Sequence, residues 1–303
     1  MNSLKIAIVI GVVLALTLAI AAPVAAHFTI LLPGDDLEIT ADDYIATLGE
    51  TITVTILWGH PYEHILFDCT DSLEVQLRDP QGGVTTLSPS ETTVEGVKAF
   101  DVSFTVEKLG DYIVAAKLVE EDHGLIDYTK AVIHCGEEAW VGWDAAVGQE
   151  VEIIPYTRPY GLEEGFVFTG KAILSDGTPL AGAPVEIEMY HTKSVGDRVV
   201  AEAEEMFPED PPMMFTRVTT TNSLGEFAYT LDEPGIWFIG VTKEIEGSLD
   251  QRAVMTVPVL EAFPAEAPAE EGGASGWAYA ALVIAIVALL LSGISLARGK
   301  GKE

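Results

Sequence analysis

The feature that most constrains this chain is a series of short runs in which apolar and polar residues alternate. Thr51-Ile-Thr-Val-Thr-Ile-Leu-Trp58 is the clearest of them and is rich in β-branched residues. Alternation with a period of two places every second side chain on one face of a strand, so each run predicts a half-buried β-strand. The other runs in this part of the chain are Leu73–Leu77, Ala99–Val106, Tyr112–Leu118 and Tyr128–His134. No long helical period interrupts them, so residues 27–156 are predicted to form an antiparallel, immunoglobulin-like β-sandwich.

A second group of strands follows, with a different order of turns. Its pieces are strand Phe166–Leu174, an Asp-Gly turn, Pro179-Leu-Ala-Gly-Ala183, strand Val185–Tyr190, a threonine-rich strand ending in Gly225-Glu-Phe227, and Pro234-Gly-Ile-Trp237. This order resembles the prealbumin-like, carboxypeptidase-regulatory-like sandwich, a resemblance that implies a fold and says little about chemistry. The predicted fold class is therefore all-β, with two tandem antiparallel β-sandwiches, the second over residues 157–260.

Both ends of the chain are apolar. Met1–Ala26 has one charge, Lys5, then an apolar stretch and the small-residue exit Val24-Ala-Ala26, which is the pattern of a secretory signal peptide. Trp277–Ala297 has no charge and is long enough to cross a bilayer as a helix. The basic tail at 298–303 follows it directly, so the positive-inside rule places that tail in the cytoplasm and the body outside the cell membrane.

The predicted ectodomain is strongly acidic. The chain of 303 residues carries a formal charge of −31; the first 26 residues contribute one positive charge and the last 27 a net two, which leaves −34 for residues 27–276. Nucleic-acid binding requires basic patches, so this balance argues against nucleic-acid partners. Residues 261–276 are rich in Pro, Ala, Glu and Gly, which indicates a solvated tether between the body and the membrane.

Histidines concentrate where the first strand run ends. Trp58-Gly-His-Pro-Tyr-Glu-His64 contains His60 and His64, and His27 would be the first residue after signal cleavage at Ala26. Gly59 and Pro61 argue against a helix, so the His-x-x-x-His spacing alone is weak evidence, and the rings converge only if the loop curls. Glu63 is predicted to be a further ligand, an acceptor that orients a histidine, or part of the acidic surface.

The free α-amine of His27 would add a nitrogen donor to the imidazoles. Such an amine titrates near pH 8, so a metal can displace its proton at neutral pH. A site with up to four nitrogen donors suits Ni(II), Cu(II) or Co(II). The general order of divalent metal affinities does not by itself decide among these three ions, and it does not rule out Zn(II).

The remaining histidines and the two cysteines give weaker predictions. Cys69 and Cys135 are the only cysteines, and in an extracytoplasmic protein a pair usually forms a disulfide. Such a bond would bring His134, the neighbour of Cys135, towards the His60 loop as a possible further ligand. His123, in Glu120-Glu-Asp-His-Gly124, reads as a solvated turn.

Taken together, these motifs resemble a known family. Ala26-His27-Phe28 at the signal exit, Gly49-Glu-Thr-Ile-Thr-Val54 and above all Trp58-Gly-His-Pro-Tyr-Glu-His64 are similar to the extracytoplasmic proteins associated with nickel and cobalt energy-coupling-factor transporters. The resemblance implies capture of Ni(II) or Co(II) outside the membrane and delivery to permease subunits. It also implies ligand roles for His27, His60 and His64.

Two other classes of function remain open at this point. The chain could be a structural or adhesive cell-surface protein, which the prealbumin-like module favours. It could also be a copper-dependent oxidative enzyme that uses the N-terminal histidine, although no second catalytic group is evident. Gly-x-Ser-x-Gly, Walker and zinc-protease signatures are all missing from the sequence, so a hydrolase or an ATPase has no support. The expectation is a protein that is not an enzyme.

Overall fold

The computed structural model describes residues 27–34, 37–206 and 216–262. Over these residues the protein is built from β-strands with a single α-helix, so the predicted all-β class is confirmed. The predicted signal peptide, the membrane segment 277–297, the tail and all but the first two residues of the tether lie outside the described residues. Within the described ranges, no helix has the length and apolarity needed to cross a membrane.

Eighteen strands and one helix make up the described fold. In chain order they are β1 (Phe28–Pro33), β2 (Ile45–Ala46), β3 (Thr51–His60), β4 (Ile65–Phe67), β5 (Leu73–Arg78), β6 (Val84–Leu87), β7 (Ser90–Val94), β8 (Val97–Thr105), β9 (Gly110–Glu120), β10 (Leu125–Cys135), β11 (Val151–Pro155), β12 (Leu162–Glu163), β13 (Val167–Leu174), β14 (Pro184–Tyr190), α1 (Lys193–Met206), β15 (Arg217–Thr220), β16 (Glu226–Thr230), β17 (Gly235–Lys243) and β18 (Asp250–Leu260). Two short 3-10 helices, Ala41–Tyr44 and Glu121–His123, lie between strands.

Three sheets form the two sandwiches. The first has the order β1-β3-β8-β7, with β4 paired to β3; the second has ten strands in the order β15-β14-β17-β18-β10-β9-β5-β6, with β2 on β10 and β12 on β18; the third is β11-β13-β16. One apolar core joins the first sheet to the β10, β9 and β5 part of the long sheet. The second apolar core lies between the third sheet and the part of the long sheet formed by β14, β17 and β18.

The long sheet is common to both sandwiches because β10 and β18 pair in parallel, from Leu125 opposite Asp250 to Lys130 opposite Met255. Its central strands are buried on both faces. In β18, Val254 lies in the first core, whereas Met255 lies in the second. Alternate residues of one strand therefore serve different cores, since successive side chains of a strand point to opposite faces.

Candidate metal centre

Strand pairing brings two of the predicted ligands together. In the antiparallel pair β1 and β3, Phe28 lies opposite Gly59, so His27 just before β1 lies opposite His60 at the end of β3. Their Nε2 atoms are 3.2 Å apart. Metal–imidazole bonds of about 2.1 Å would span this gap with an N–metal–N angle of about 100°. The pair is therefore already spaced to chelate one ion.

A third imidazole joins the pair from a distant part of the chain. His123 ends the 3-10 helix between β9 and β10, and its ring centroid lies 4.5 Å from that of His27. The side chain is exposed and precedes Gly124, which has a left-handed φ of 67°. The turn predicted to be merely solvated thus places its histidine at the open edge of the cluster.

Aromatic rings form the wall of this histidine cluster. The ring of Trp58 stacks on His27 at 5.6 Å, with 18° between the planes, and the ring of Phe67 lies 5.2 Å from His27. Trp58 and Phe67 are direct neighbours across β3 and β4. Trp58 is also almost fully buried, with no hydrogen-bond partner for its Nε1 among the described residues. The wall excludes water from one side of the imidazoles.

Glu63 approaches the far side of the His60 ring. Its Oε2 lies 3.0 Å from His60 Nδ1, an ion-pair distance, although the angle falls outside hydrogen-bond geometry. A carboxylate at Nδ1 favours a proton on that nitrogen and leaves the lone pair on Nε2, the atom that faces His27. Glu63 is thus placed to orient His60, and its role in metal binding stays a prediction.

A buried ion-pair cluster fixes the backbone at His27. The Arg252 guanidinium donates to the His27 carbonyl oxygen and forms two bonds with Asp127, at 2.8 and 3.0 Å. Asp127 also accepts the backbone N–H of Thr29, at 2.9 Å. Because Asp127 and Arg252 are each about 1% exposed, this contact is protected from solvent screening. The start of β1 is therefore held in a defined position.

The electrostatics of the cluster favour the neutral form of the His27 imidazole. Burial, and then the neighbouring charges of His60, His123 and Arg252, lower the pKa of His27 to about 4. His27 is accordingly unprotonated at neutral pH. A metal ion then meets little competition from protons at this ring.

His64, predicted as the third ligand, lies elsewhere. Its Nδ1 contacts the backbone oxygen of His191 at 2.8 Å, and its Nε2 contacts the Glu95 carboxylate at 3.1 Å. His191 in turn bonds through its backbone N–H to Pro61 and through Nδ1 to the Tyr62 oxygen. Both nitrogens of His64 face acceptors, so this ring ties the β3–β4 turn to the second sandwich.

His134 lies at the opposite end of β10 from the cluster. Its Nδ1 bonds to Asp111 at 2.7 Å, and its ring stacks on Tyr160 at 4.6 Å. Since β10 has eleven residues, its two ends are about 33 Å apart. His134 is therefore not brought to the His27–His60 pair.

The structure contradicts the predicted disulfide. Cys69 and Cys135 are both free and buried. Thr70, the neighbour of Cys69, donates to the Val119 oxygen near the end of β9, whereas Cys135 pairs with Gly110 at its start. About 30 Å of strand separates these places, far beyond the Cα spacing of a disulfide. Burial raises the pKa of Cys69 to about 12 and also raises that of Cys135, so both are inert core thiols.

The preformed part of the centre is the histidine pair. Across residues 27–34, 37–206 and 216–262, no three His, Cys, Asp or Glu side chains are already arranged to hold one metal ion. Sequence reasoning found His60 and Glu63 through the motif at Trp58, and His27 through the signal-peptide exit. It missed His123, whose only sequence signal is a histidine in the hairpin turn between two long strands.

Comparison with known proteins gives a family. Residues 24–244 match the model of a family described as a domain of unknown function (DUF4198), and the chain belongs to that family. A search of curated proteins finds no match.

Solved structures give only remote likenesses. Salmonella α2-macroglobulin reacted with methylamine is 12% identical, with a TM-score of 0.25, and the match covers 80% of this chain and 15% of that one. A bacterial ice-binding adhesin is 11% identical with a TM-score of 0.24, covering 77% and 64% of the two chains. The ectodomain of mouse nectin-like molecule 4 is 11% identical with a TM-score of 0.20, again covering 77% and 64%. These likenesses carry no functional argument.

Proposed function

We propose that this protein binds a divalent transition metal outside the cell membrane, Ni(II) or Co(II) above others, and hands it to an uptake permease. The observation that carries the proposal is the 3.2 Å approach of His27 and His60 Nε2 atoms from segments 33 residues apart. The resemblance of the Trp58–His64 motif to transporter-associated proteins supports the choice of cargo. The predicted signal and anchor support the location.

The histidine cluster supplies the chemistry of capture. His27 and His60 would bind the ion through Nε2, and His123 would close over it from the β9–β10 turn. Three imidazoles and the His27 amine form a nitrogen-rich donor set, which suits Ni(II), Cu(II) and Co(II). We propose that the cluster captures the ion and does not catalyse a reaction on it.

Calorimetric titration of the full chain in detergent with Ni(II), Co(II), Cu(II) and Zn(II) tests the proposal. We expect His27→Ala and His60→Ala each to weaken binding at least about tenfold, a loss of about 1.4 kcal/mol or more. His123→Ala should also weaken binding. His134→Ala, at the far end of β10, is the matched control and should change nothing.

The N-terminal amine needs a separate variant. A glycine inserted between Ala26 and His27 moves the amine away from the imidazole, so binding should weaken if the amine is a ligand. Wild-type binding that survives both His27→Ala and His60→Ala would place the site elsewhere and refute the proposal. An absence of binding for all four ions would favour the structural or adhesive class.

A further inference from the structure

Apolar side chains are exposed together at the end of β10 that lies opposite to the histidine cluster. Five large ones there are between 45% and 60% exposed, and we call them the apolar end face: Ile45, Leu48, Leu109, Trp140 and Val141. Single exposed apolar residues are ordinary on a protein surface, whereas a contiguous group of them indicates an interaction surface.

One half of the apolar end face surrounds an open cleft of about 430 Å³. Ile45, which lies opposite His134 in the β2–β10 pair, and Trp140 both line this cleft. The Arg158 Cζ atom lies 4.9 Å from the centre of the Trp140 ring and 5.0 Å from that of Tyr160, and Arg158 forms no ion pair with any described residue. Tryptophan favours the membrane–water interface, and a guanidinium binds phosphate oxygens.

The other half is formed by neighbouring connections between strands. The Val141 carbonyl oxygen accepts the backbone N–H of Asp111 at 3.0 Å, two residues after Leu109. The turn that contains Leu48 donates a backbone hydrogen bond of 2.7 Å to Val106, in the turn that contains Leu109. The apolar end face is therefore continuous across this end of the first sandwich.

The chain leaves the described fold beside this face. β18 runs parallel to β10, and near its end Val259 pairs with Leu162, whose preceding residue, Gly161, lines the cleft. The 16 residues 261–276 then lead to the predicted membrane segment 277–297, and a chain of this length reaches at most about 55 Å when fully extended. A short connection to the lipid raises the local concentration of the face at the bilayer, so a weak affinity suffices for docking.

The charge at this end restricts the kind of membrane contact. Glu137, which lines the cleft, and Glu138 are both exposed. Anionic lipids attract basic segments and repel carboxylates. Insertion of apolar side chains, and not attraction to lipid charge, therefore has to supply the affinity.

We propose that the apolar end face inserts into the outer surface of the lipid bilayer, with Arg158 at the level of the lipid phosphates. The inference rests on the predicted membrane segment and not on the metal site. Because β18 has eleven residues, docking holds the histidine cluster about 33 Å further from the lipid, open to the medium. Transfer of the ion to a permease then requires the face to detach within the reach of the tether.

Depth-dependent fluorescence quenching tests the proposal. The full chain is placed in phosphatidylcholine nanodiscs, one chain per disc, with a fluorophore on Leu109→Cys or on the matched control Ser248→Cys. Ser248 is exposed in the β17–β18 turn, at the end that carries the histidine cluster. The native cysteines are both buried, so labelling is confined to the introduced one. Nitroxides on the lipid headgroups or on the acyl chains report the depth of the label.

We expect lipid nitroxides to quench the label on Leu109→Cys at least about twofold more than that on Ser248→Cys, at a depth of about 5–10 Å in the boundary between headgroups and acyl chains. The added double change Trp140→Ser and Val141→Ser should abolish this difference, whereas Leu224→Ser, at an exposed apolar position away from the face, should leave it unchanged. Anionic phosphatidylglycerol at low salt should weaken the quenching. Urea unfolding checks that each variant folds cooperatively, and Leu48→Glu replaces the double change if that variant does not.

Equal quenching of the two labels, or a difference that survives the loss of Trp140 and Val141, would overturn lipid docking and leave the face for a protein partner. A full chain that does not insert into nanodiscs would refute the predicted membrane segment and this inference with it. Metal binding by calorimetry is measured independently, so its failure would refute the proposed function and leave the docking result standing.

Discussion

At the scale of single residues, the buried pair Lys130–Glu152 connects β10 to β11. The Nζ–Oε1 distance is 2.8 Å and both side chains are 2% exposed. Glu152 also accepts the backbone N–H groups of Val147 and Gly148. Lys130→Met leaves a buried carboxylate without its cation, so we expect a loss of about 3–5 kcal/mol in the free energy of unfolding, measured by urea denaturation.

The control for that change is Lys117→Met. Lys117 pairs with Glu74 at 3.0 Å, but the two side chains are 35% and 69% exposed. Solvent screens such a pair, so the variant should lose less than about 1 kcal/mol. Similar losses for both lysines would contradict the assignment of the buried pair as the stronger one.

Glu188 makes stability depend on pH in a direction opposite to that of an ordinary paired carboxylate. Its pKa is about 8 in the folded protein against 4.5 for an unperturbed glutamate. Between these values the folded chain keeps a proton that the unfolded chain has lost, so stability falls as pH rises from about 4.5 to 8. Glu188→Gln should remove this fall and stabilise the metal-free protein at pH 9 by on the order of a few kcal/mol.

Urea unfolding in the presence of a chelator, at pH 5 and pH 9, measures the effect. The exposed Glu91→Gln serves as control and should leave the pH dependence unchanged. A Glu188→Gln variant whose stability falls between pH 5 and pH 9 as steeply as the wild type would show that Glu188 is not the group responsible.

Some residues of the candidate site could be predicted from the sequence, but their meeting could not. His27 and His60 are found by the signal exit and the Trp58 motif, but spacing cannot show that they meet, because their contact depends on the β1–β3 register. His64 was predicted as a ligand because it shares the motif, whereas its backbone has a left-handed φ of 53° and directs its ring to His191. His123 reaches the cluster because β9 and β10 pair and the turn that connects them carries the histidine there. No local sequence pattern marks His123 as a ligand.

At the scale of elements, most strands were predicted because their alternation is local. Helix α1 was not, since the stretch after Tyr190 shows no strong apolar period, and only Gly196 and Ala203 are buried in it. Its role is positional: a Cβ on Gly196 would lie 2.7 Å from the Glu63 carbonyl oxygen. The helix approaches the β3–β4 turn so closely that only glycine fits.

Gly196→Ala tests that contact. The new methyl meets backbone atoms that cannot move without shifting the turn, so we expect destabilisation of about 1–2 kcal/mol despite the better helix propensity of alanine. Metal affinity should also fall, because Glu63 belongs to the displaced turn. Ser194→Ala, at an exposed position of the same helix, is the control for both urea unfolding and calorimetric titration.

At the scale of the whole molecule, the sequence predicts two tandem sandwiches, and the sheet that they share could not be foreseen. The parallel pairing of β10 with β18 joins residues 125 apart, and no alternation pattern specifies a partner at that distance. Because of this shared sheet, the core of the second sandwich depends on residues from the first half of the chain. Ile113 and Val132 belong to the first half of the chain, yet both lie in the core of the second sandwich.

Residues 27–156 produced alone should therefore fail to fold cooperatively. The fragment would expose the β18-facing edge of β10 and the apolar side chains of Ile113 and Val132, and it would leave Asp127 buried without Arg252. Urea unfolding followed by circular dichroism, with residues 27–262 as the matched control, measures this. A sharp transition of the short fragment at a comparable midpoint would mean that the first sandwich is independent, and that the second contributes to the metal centre only as a removable neighbour.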